Sequence, residues 1–151
     1  MFAHYLYLDK KVAGPPERAG EPLRDLKQIF DALGKLEGKH TTILIVAEGP
    51  PGPNSDTPFC GKAMSIGGGL NDHYICEAFV DSGEHDLATM LVNPSVPKSK
   101  ETVEINRGQP GRWPRHLVVG RALVGKALGT FVKTGELDPD LSWFRTDERY
   151  F

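Results

Sequence analysis

The chain has 151 residues, of which 39% are apolar and 25% charged, and its formal net charge is −2. This length and apolar content predict a single domain over residues 1–151 with its own hydrophobic core, and they exclude a disordered chain. The near-neutral charge argues against a nucleic-acid-binding protein, and the longest apolar run, residues 43–47, is far shorter than the about 20 residues that cross a bilayer.

The N-terminal part of the chain predicts a strand followed by a helix. Residues 1–8 (MFAHYLYL) are rich in aromatic side chains, which favour a strand, and residues 13–21 have the composition of a loop. Pro22 suits the first helical position because its missing N–H is no loss there, and Gly38 suits the helix end. The predicted helix places six apolar residues on one face: Leu23, Leu26, Ile29, Phe30, Leu33 and Leu36.

The middle of the chain predicts several strands joined by turns. Residues 41–47 (TTILIVA) are a continuous apolar and β-branched run, typical of a strand covered on both faces. Residues 48–58 are rich in Pro and Gly, which predicts a loop. The strands of an antiparallel meander are predicted at 59–67, 74–80 and 87–92. The run from Gly67 to Gly69 is expected to need positive φ angles at a strand end.

Residues 101–115 predict an edge strand and a loop. Residues 101–105 (ETVEI) alternate polar and apolar side chains, and residues 106–115 have loop composition and lead to a short strand at 116–119. Trp113 lies in this loop between two arginines. One interpretation makes it a base-stacking residue for nucleic acid; the other, which is the commoner case, makes it a large side chain that packs onto the core.

The C-terminal part predicts a second helix and a last strand. Residues 121–133 have a helical stripe of apolar side chains at Val124, Leu128, Phe131 and Val132. Gly135 lies just past the predicted helix end, and residues 141–144 (LSWF) predict the strand. Because no helices separate the middle strands, we predict an α+β fold, in which two α-helices pack on an antiparallel β-sheet.

No motif in the sequence predicts catalysis. Residues 120–126, from Gly120 to Lys126, match the spacing of a phosphate-binding P-loop, but Ala127 stands where the Ser or Thr that holds magnesium belongs. The chain has only two cysteines, Cys60 and Cys76, and no zinc-ligand spacing. We therefore predict no enzyme, no catalytic residue, no cofactor and no metal. A nucleotide-binding or small-molecule enzyme that uses the Gly120 to Lys126 loop is kept as the alternative.

The C-terminal third resembles a known family. Residues 116–143 read HLVVGRALVGKALGTFVKTGELDPDLSW, and the features that carry the likeness are Ala127, Phe131, Thr134-Gly135, Asp138-Pro139 and Leu141-x-Trp143. This segment resembles the C-terminal signature of the widespread bacterial family called immunity protein one, whose members accompany polymorphic toxins, notably nucleic-acid deaminases and nucleases. Val124 departs from the first Ala of that pattern, and the loops at 48–58 and 93–100 have no counterpart in it.

The resemblance implies an immunity protein that binds and inhibits a cognate bacterial toxin. We expect it to be cytoplasmic, a monomer or a homodimer, with no nucleic-acid or membrane partner. A toxin that handles nucleic acid should have a basic surface, and residues 41–92 contain seven carboxylates against one cation. These charges either cluster by chance on solvated loops or form an acidic surface that holds the toxin. The second interpretation predicts five toxin contacts: Asp72, Glu77, Asp81, Glu84 and Asp86.

Overall fold

A computed structural model describes residues 1–10, 21–50, 61–80 and 88–145 of the chain. These residues form nine strands and two α-helices. The strands are β1 (Tyr5–Lys10), β2 (Glu21–Pro22), β3 (Thr41–Ala47), β4 (Ala63–Gly68), β5 (Tyr74–Phe79), β6 (Thr89–Leu91), β7 (Thr102–Asn106), β8 (Pro110–Pro114) and β9 (Trp143–Arg145), and the helices are α1 (Leu26–Lys35) and α2 (Arg121–Thr134). Within these ranges, neither helix is long and apolar enough to cross a bilayer.

Seven strands form one antiparallel sheet in the order β2-β1-β3-β4-β5-β6-β9. Leu44 of β3 lies opposite Ile66 of β4, which lies opposite Cys76 of β5. Since side chains alternate between the two faces of a strand, this register gathers apolar residues on the face against which both helices pack. The predicted α+β fold, an antiparallel sheet packed by two helices, is confirmed.

Helix α1 begins later than the sequence predicts. Its N-cap is Asp25, whose carboxylate accepts a hydrogen bond from Gln28 N (2.9 Å). The predicted start at Pro22 is wrong, because Pro22 pairs with β1 as part of β2 and the N–H of Leu23 donates to the carbonyl of His4 (2.7 Å). This tertiary pairing keeps the chain extended up to the cap.

Helix α1 also ends before Gly38, and its buried face is narrower than predicted. The helix stops at Lys35 with Leu36 as C-cap, and Gly38 (φ 80°) belongs to the turn that follows. Ile29 and Leu33 are buried as expected, but Phe30 is 41% exposed. At 100° per residue Phe30 lies at the margin of the buried stripe, so the helix turns it outward.

Helix α2 agrees closely with the prediction. It covers Arg121–Thr134 and buries Val124, Ala127, Leu128, Phe131 and Val132. Gly135 follows in the left-handed conformation (φ 72°), and its N–H donates to the carbonyl of Phe131 (2.7 Å). A Cβ at this position would lie 2.7 Å from the ring of Phe2, so glycine is required both for the backbone angle and for the close approach.

The segment after α2 folds back as a connected unit. The buried carboxylate of Asp138 accepts hydrogen bonds from Thr130 Oγ1 (2.7 Å) and from the N–H of Asp140 (2.9 Å). The indole N–H of Trp143 donates to the carbonyl of Asp138 (3.0 Å), and its ring packs against the core between sheet and helices. We call residues 120–143 the C-terminal unit. The last strand, predicted at 141–144, begins at Trp143.

A two-stranded hairpin, β7–β8, covers part of the other face of the sheet. Ile105 of the hairpin and the nearby Leu117 pack with Ile75 and Met90 of the sheet in a second apolar cluster. The prediction of a loop over 106–115 is wrong, because residues 110–114 pair with β7. The predicted strand at 116–119 is also wrong: residues 115–117 form one turn of 3-10 helix, and Val119 makes an isolated bridge with Tyr74.

Candidate functional site

Asp72, the first predicted toxin contact, is engaged in holding helix α2. It lies in the turn between β4 and β5, and its Oδ1 accepts a hydrogen bond from the N–H of Arg121 (3.0 Å) at the start of the helix. A carboxylate at this place satisfies a free N–H and complements the helix dipole. Gly120 makes room for it, since a Cβ there would lie 2.9 Å from Asp72 Oδ2. Asp72 is nevertheless exposed.

Glu77, the second predicted contact, is a buried residue of β5. Its carboxylate pairs with the guanidinium of Arg107, at the tip of the hairpin. Burial raises the pKa of Glu77, and the charge of Arg107 opposes that rise only in part. A side chain buried in this way contributes to the attachment of the hairpin and offers little surface to a partner.

Arg107 supplies the positive charge of this ion pair. The sequence alone does not distinguish it from the neighbouring arginines. Its guanidinium carbon lies 5.3 Å from the centre of the Trp113 ring, close enough for a cation–π contact. Its side chain crosses Gly67 of β4, where a Cβ would lie 2.7 Å from Arg107 Cγ. Trp113 packs on the second apolar cluster, as expected for a large side chain that packs onto the core.

The other three predicted contacts, Asp81, Glu84 and Asp86, lie outside the described residues. The residues on either side of them, Val80 and Ala88, are described and lie at the end of the sheet where β5 ends and β6 begins. Asp72 precedes the opposite end of β5, and six strand residues span about 17 Å. Asp72 and the described residues Val80 and Ala88 therefore lie at opposite ends of the sheet.

Glu48 is a further acidic residue at the end of the sheet where β5 ends. The five predicted toxin contacts did not include it. It follows β3, is exposed, and its carboxylate accepts a hydrogen bond from the N–H of Lys62 (3.1 Å). Lys62 in turn pairs with Glu136 (3.2 Å). Since β3 ends and β4 begins beside the end of β5, Glu48 and Lys62 lie at the same end of the sheet as Val80.

The segment with P-loop spacing is helical. Gly120 is the N-cap of α2, and residues 121–126 form its first turns, with Val124 fully buried against the core. A P-loop needs an open loop whose backbone N–H groups surround a phosphate. These residues instead make the regular hydrogen bonds of a helix, so the geometry that the enzyme alternative relies on is not present in this segment.

In the described part of the chain, the groups suited to nucleophilic or metal chemistry are buried or scattered. Cys76 is a free, fully buried thiol, and burial raises its pKa, which favours the neutral thiol over the reactive thiolate. His116 is buried as well, and burial lowers the pKa of its imidazole. Among the residues that the structure describes, no three His, Cys, Asp or Glu side chains are placed to hold a metal ion. Cys60 lies outside those residues.

Comparisons with known proteins do not assign the chain to a family. Neither a scan against protein-family models nor a search of curated proteins gives a match.

Proposed function

We propose that this chain is a cytoplasmic immunity protein that binds and inhibits a cognate bacterial toxin, whose chemistry is that of a nucleic-acid deaminase or nuclease. The observation that carries the proposal is the likeness of residues 116–143 to the signature of the immunity protein one family. The residues of this likeness have definite structural tasks: Gly135 ends α2, Asp138 binds Thr130, and Trp143 closes the unit.

A protein that inhibits a toxin by covering its surface needs a rigid scaffold and a complementary surface, and it needs no catalytic group. The scaffold is supplied by a seven-stranded sheet with two helices on one face and a hairpin on part of the other. In such a protein the residues with perturbed pKa values serve structure, as Glu77 and Asp138 do here through their internal partners. Their roles agree with the proposal and leave the contact surface to exposed residues.

For the contact surface we propose the end of the sheet at which β3 and β5 end. Glu48 lies there, as do Val80 and Ala88, and Asp81, Glu84 and Asp86 fall between these two residues in the sequence. A partner that binds nucleic acid presents a basic cleft, which an acidic surface attracts at long range and recognises at contact. Asp72 and Glu77, which have internal partners, are the less suitable contacts of the five.

The first experiment tests the function itself. The proposal predicts that a toxin domain is encoded beside the gene of this chain. That domain is expressed with and without the chain, and cell survival and the activity of the purified toxin are measured. The proposal predicts survival only with the chain, and full inhibition at a one-to-one ratio. It is rejected if the purified chain neither binds nor inhibits that toxin.

The second experiment tests the contact surface by charge reversal. The double variant Glu84→Lys/Asp86→Lys should lower the affinity for the toxin at least about tenfold, mainly by slower association, and the effect should shrink at high salt. The matched control is Glu101→Lys/Glu104→Lys, which reverses two exposed carboxylates, one just before β7 and one in it. Equal affinities of the two double variants in a binding titration would reject the acidic end as the contact surface.

A further inference from the structure

The β7–β8 hairpin is separate from the seven-stranded sheet on which it lies. Its two strands pair with each other, and no backbone hydrogen bond between described residues joins either of them to a strand of that sheet. If the hairpin moved away, the strands of the large sheet would therefore keep all the pairing they have with one another. Among the described residues, side-chain contacts are what hold the hairpin on the sheet.

The base of the hairpin is fixed to the rest of the molecule. The N–H of Asn93, just after β6, donates to the carbonyl of His116 (2.7 Å). Val119 and Tyr74, the first residue of β5, exchange two backbone hydrogen bonds of 2.9 Å. Residues 115–119 therefore stay attached beside β5 and β6 whatever the position of the hairpin that precedes them.

The tip of the hairpin lies across β4 without interlocking side chains from that strand. A Cβ at Gly67 would lie 2.7 Å from Arg107 Cγ, and a Cβ at Gly68 would lie 3.0 Å from Ile105 Cγ2. Because both positions are glycine, the hairpin rests directly on the backbone of β4. Its attachment there depends on the apolar packing of Ile105 and on the ion pair between Arg107 and Glu77.

The ion pair at the tip closes the hairpin at a cost. Burial raises the pKa of Glu77 although Arg107 faces it, so the pair does not fully offset the loss of hydration of the carboxylate. If the tip lifts, Glu77 regains water, and Arg107, whose side chain is already 27% exposed, becomes fully solvated. This hydration offsets part of the free energy that is lost when Ile105 leaves the apolar cluster.

The hairpin keeps its own contacts when the tip lifts. The guanidinium of Arg107 lies 5.3 Å from the centre of the Trp113 ring, and Arg112 Nε donates to Thr102 Oγ1 (2.8 Å). Both partners of each contact belong to the hairpin, so neither contact depends on the sheet. Cross-strand contacts of this kind stabilise a strand pair, which favours movement of the two strands together.

We infer that the β7–β8 hairpin is a flap, hinged at residues 115–119 and latched by the Arg107–Glu77 ion pair, which opens as a unit while the large sheet and both helices stay folded. Opening uncovers the carboxylate of Glu77 and apolar residues of the second cluster, among them Ile75, which is 1% exposed when the flap is closed. The flap thus controls access to this part of the sheet. The inference does not rest on toxin inhibition, and its test needs no toxin.

Hydrogen exchange of the full chain, followed by mass spectrometry at several low urea concentrations, tests the independent opening. Peptides from residues 102–114 should exchange through one common opening, at least about tenfold faster than peptides from β3, β4 and β5. Their exchange should depend only weakly on urea, because opening exposes little surface. Hairpin amides with the same protection and urea dependence as those of β3–β5 would overturn the inference.

Variants of the ion pair test the latch in the same experiment. Arg107→Ala should speed the exchange of residues 102–114 at least about thirtyfold, because Glu77 is then buried without its cation. The matched control, Arg112→Ala, removes an exposed arginine of the same hairpin and should change the rate by about threefold or less. Arg107→Met/Glu77→Met should return the rate to within about threefold of the wild type, because no charge is left buried. Equal acceleration by Arg107→Ala and Arg112→Ala would overturn the latch.

Discussion

Asp138 in the C-terminal unit and Glu77 in the central sheet are both buried carboxylates, and the protein holds them by opposite means. Asp138 receives a hydroxyl hydrogen bond from Thr130 and a backbone hydrogen bond from Asp140, and these lower its pKa. Glu77 has Arg107 as its charged partner, thirty residues away in sequence, and burial raises its pKa despite that pairing. Nearby donors favour the charged form, whereas burial disfavours it.

The two carboxylates lie in regions of the molecule that are held together by different contacts. In the C-terminal unit, Asp138 and its partners Thr130, Asp140 and Trp143 are close in sequence and are joined by hydrogen bonds. The hairpin is attached by Arg107 and by apolar contacts between residues that are distant along the chain. The two regions should therefore respond differently to mutation and to pH, and three measurements test this.

The largest effect is expected in the core of the C-terminal unit. Phe131 is fully buried and its ring packs edge to face on Phe2, with centroids 6.0 Å apart. Phe131→Ala should lower the free energy of unfolding by about 3–5 kcal/mol through lost burial and a cavity. The matched control on the other helix, Phe30→Ala, should lower it by only about 1–1.5 kcal/mol, because Phe30 is 41% exposed. Urea unfolding measures both, and similar losses in the two variants would contradict the assignment of the core.

The second effect tests the attachment of the hairpin. Arg107→Ala leaves Glu77 buried without its cation, and we expect a loss of roughly 3 kcal/mol or somewhat less, because the side chain of Arg107 is 27% exposed. Replacing the pair together, as Arg107→Met/Glu77→Met, should recover most of this stability because no charge is then left buried. A double variant no more stable than Arg107→Ala would show that the ion pair is not what the single change disrupts.

The smallest effect is a contrast in pH dependence. The folded-state pKa of Asp138 is lowered, so its contribution is present at neutral pH and is lost as the pH falls through that pKa. The stability deficit of Asp138→Asn should therefore shrink as the pH falls toward 3. The pKa of Glu77 is raised, so its contribution is present at low pH and is lost as the pH rises through the raised value. The deficit of Glu77→Gln should grow on acidification, and parallel pH curves for the two variants would refute the contrast.

Elements formed by neighbours in sequence could be predicted closely. Helix α2 was expected at residues 121–133 and covers Arg121–Thr134, with Gly135 at the predicted left-handed position. The start of α1 and the strand β8 could not be predicted, because they depend on the pairing of Pro22 with β1 and of residues 110–114 with β7. The partner strands were predicted at residues 1–8 and 101–105, but local composition does not show which segment pairs with each of them.

Of the candidate site, only its negative charge could be predicted from the sequence. The excess of carboxylates in residues 41–92 is a property of the sequence, but the sequence does not show that Asp72 caps a helix or that Glu77 pairs with Arg107. It also does not show that Phe30 is turned outward with its ring near Gly125 of α2. Charge can be counted along a chain, whereas the partner of each charge is known only once distant segments meet.

The sequence by itself determined the α+β class, the second helix with its glycine end, and the apolar strands, because periodicity and backbone preference act over a few residues. The tertiary structure decided which carboxylates are used internally, where the hairpin lies, and which apolar side chains face solvent. Those outcomes depend on burial and on contacts across the sheet, where the free energy of a side chain is set by residues far from it in the chain.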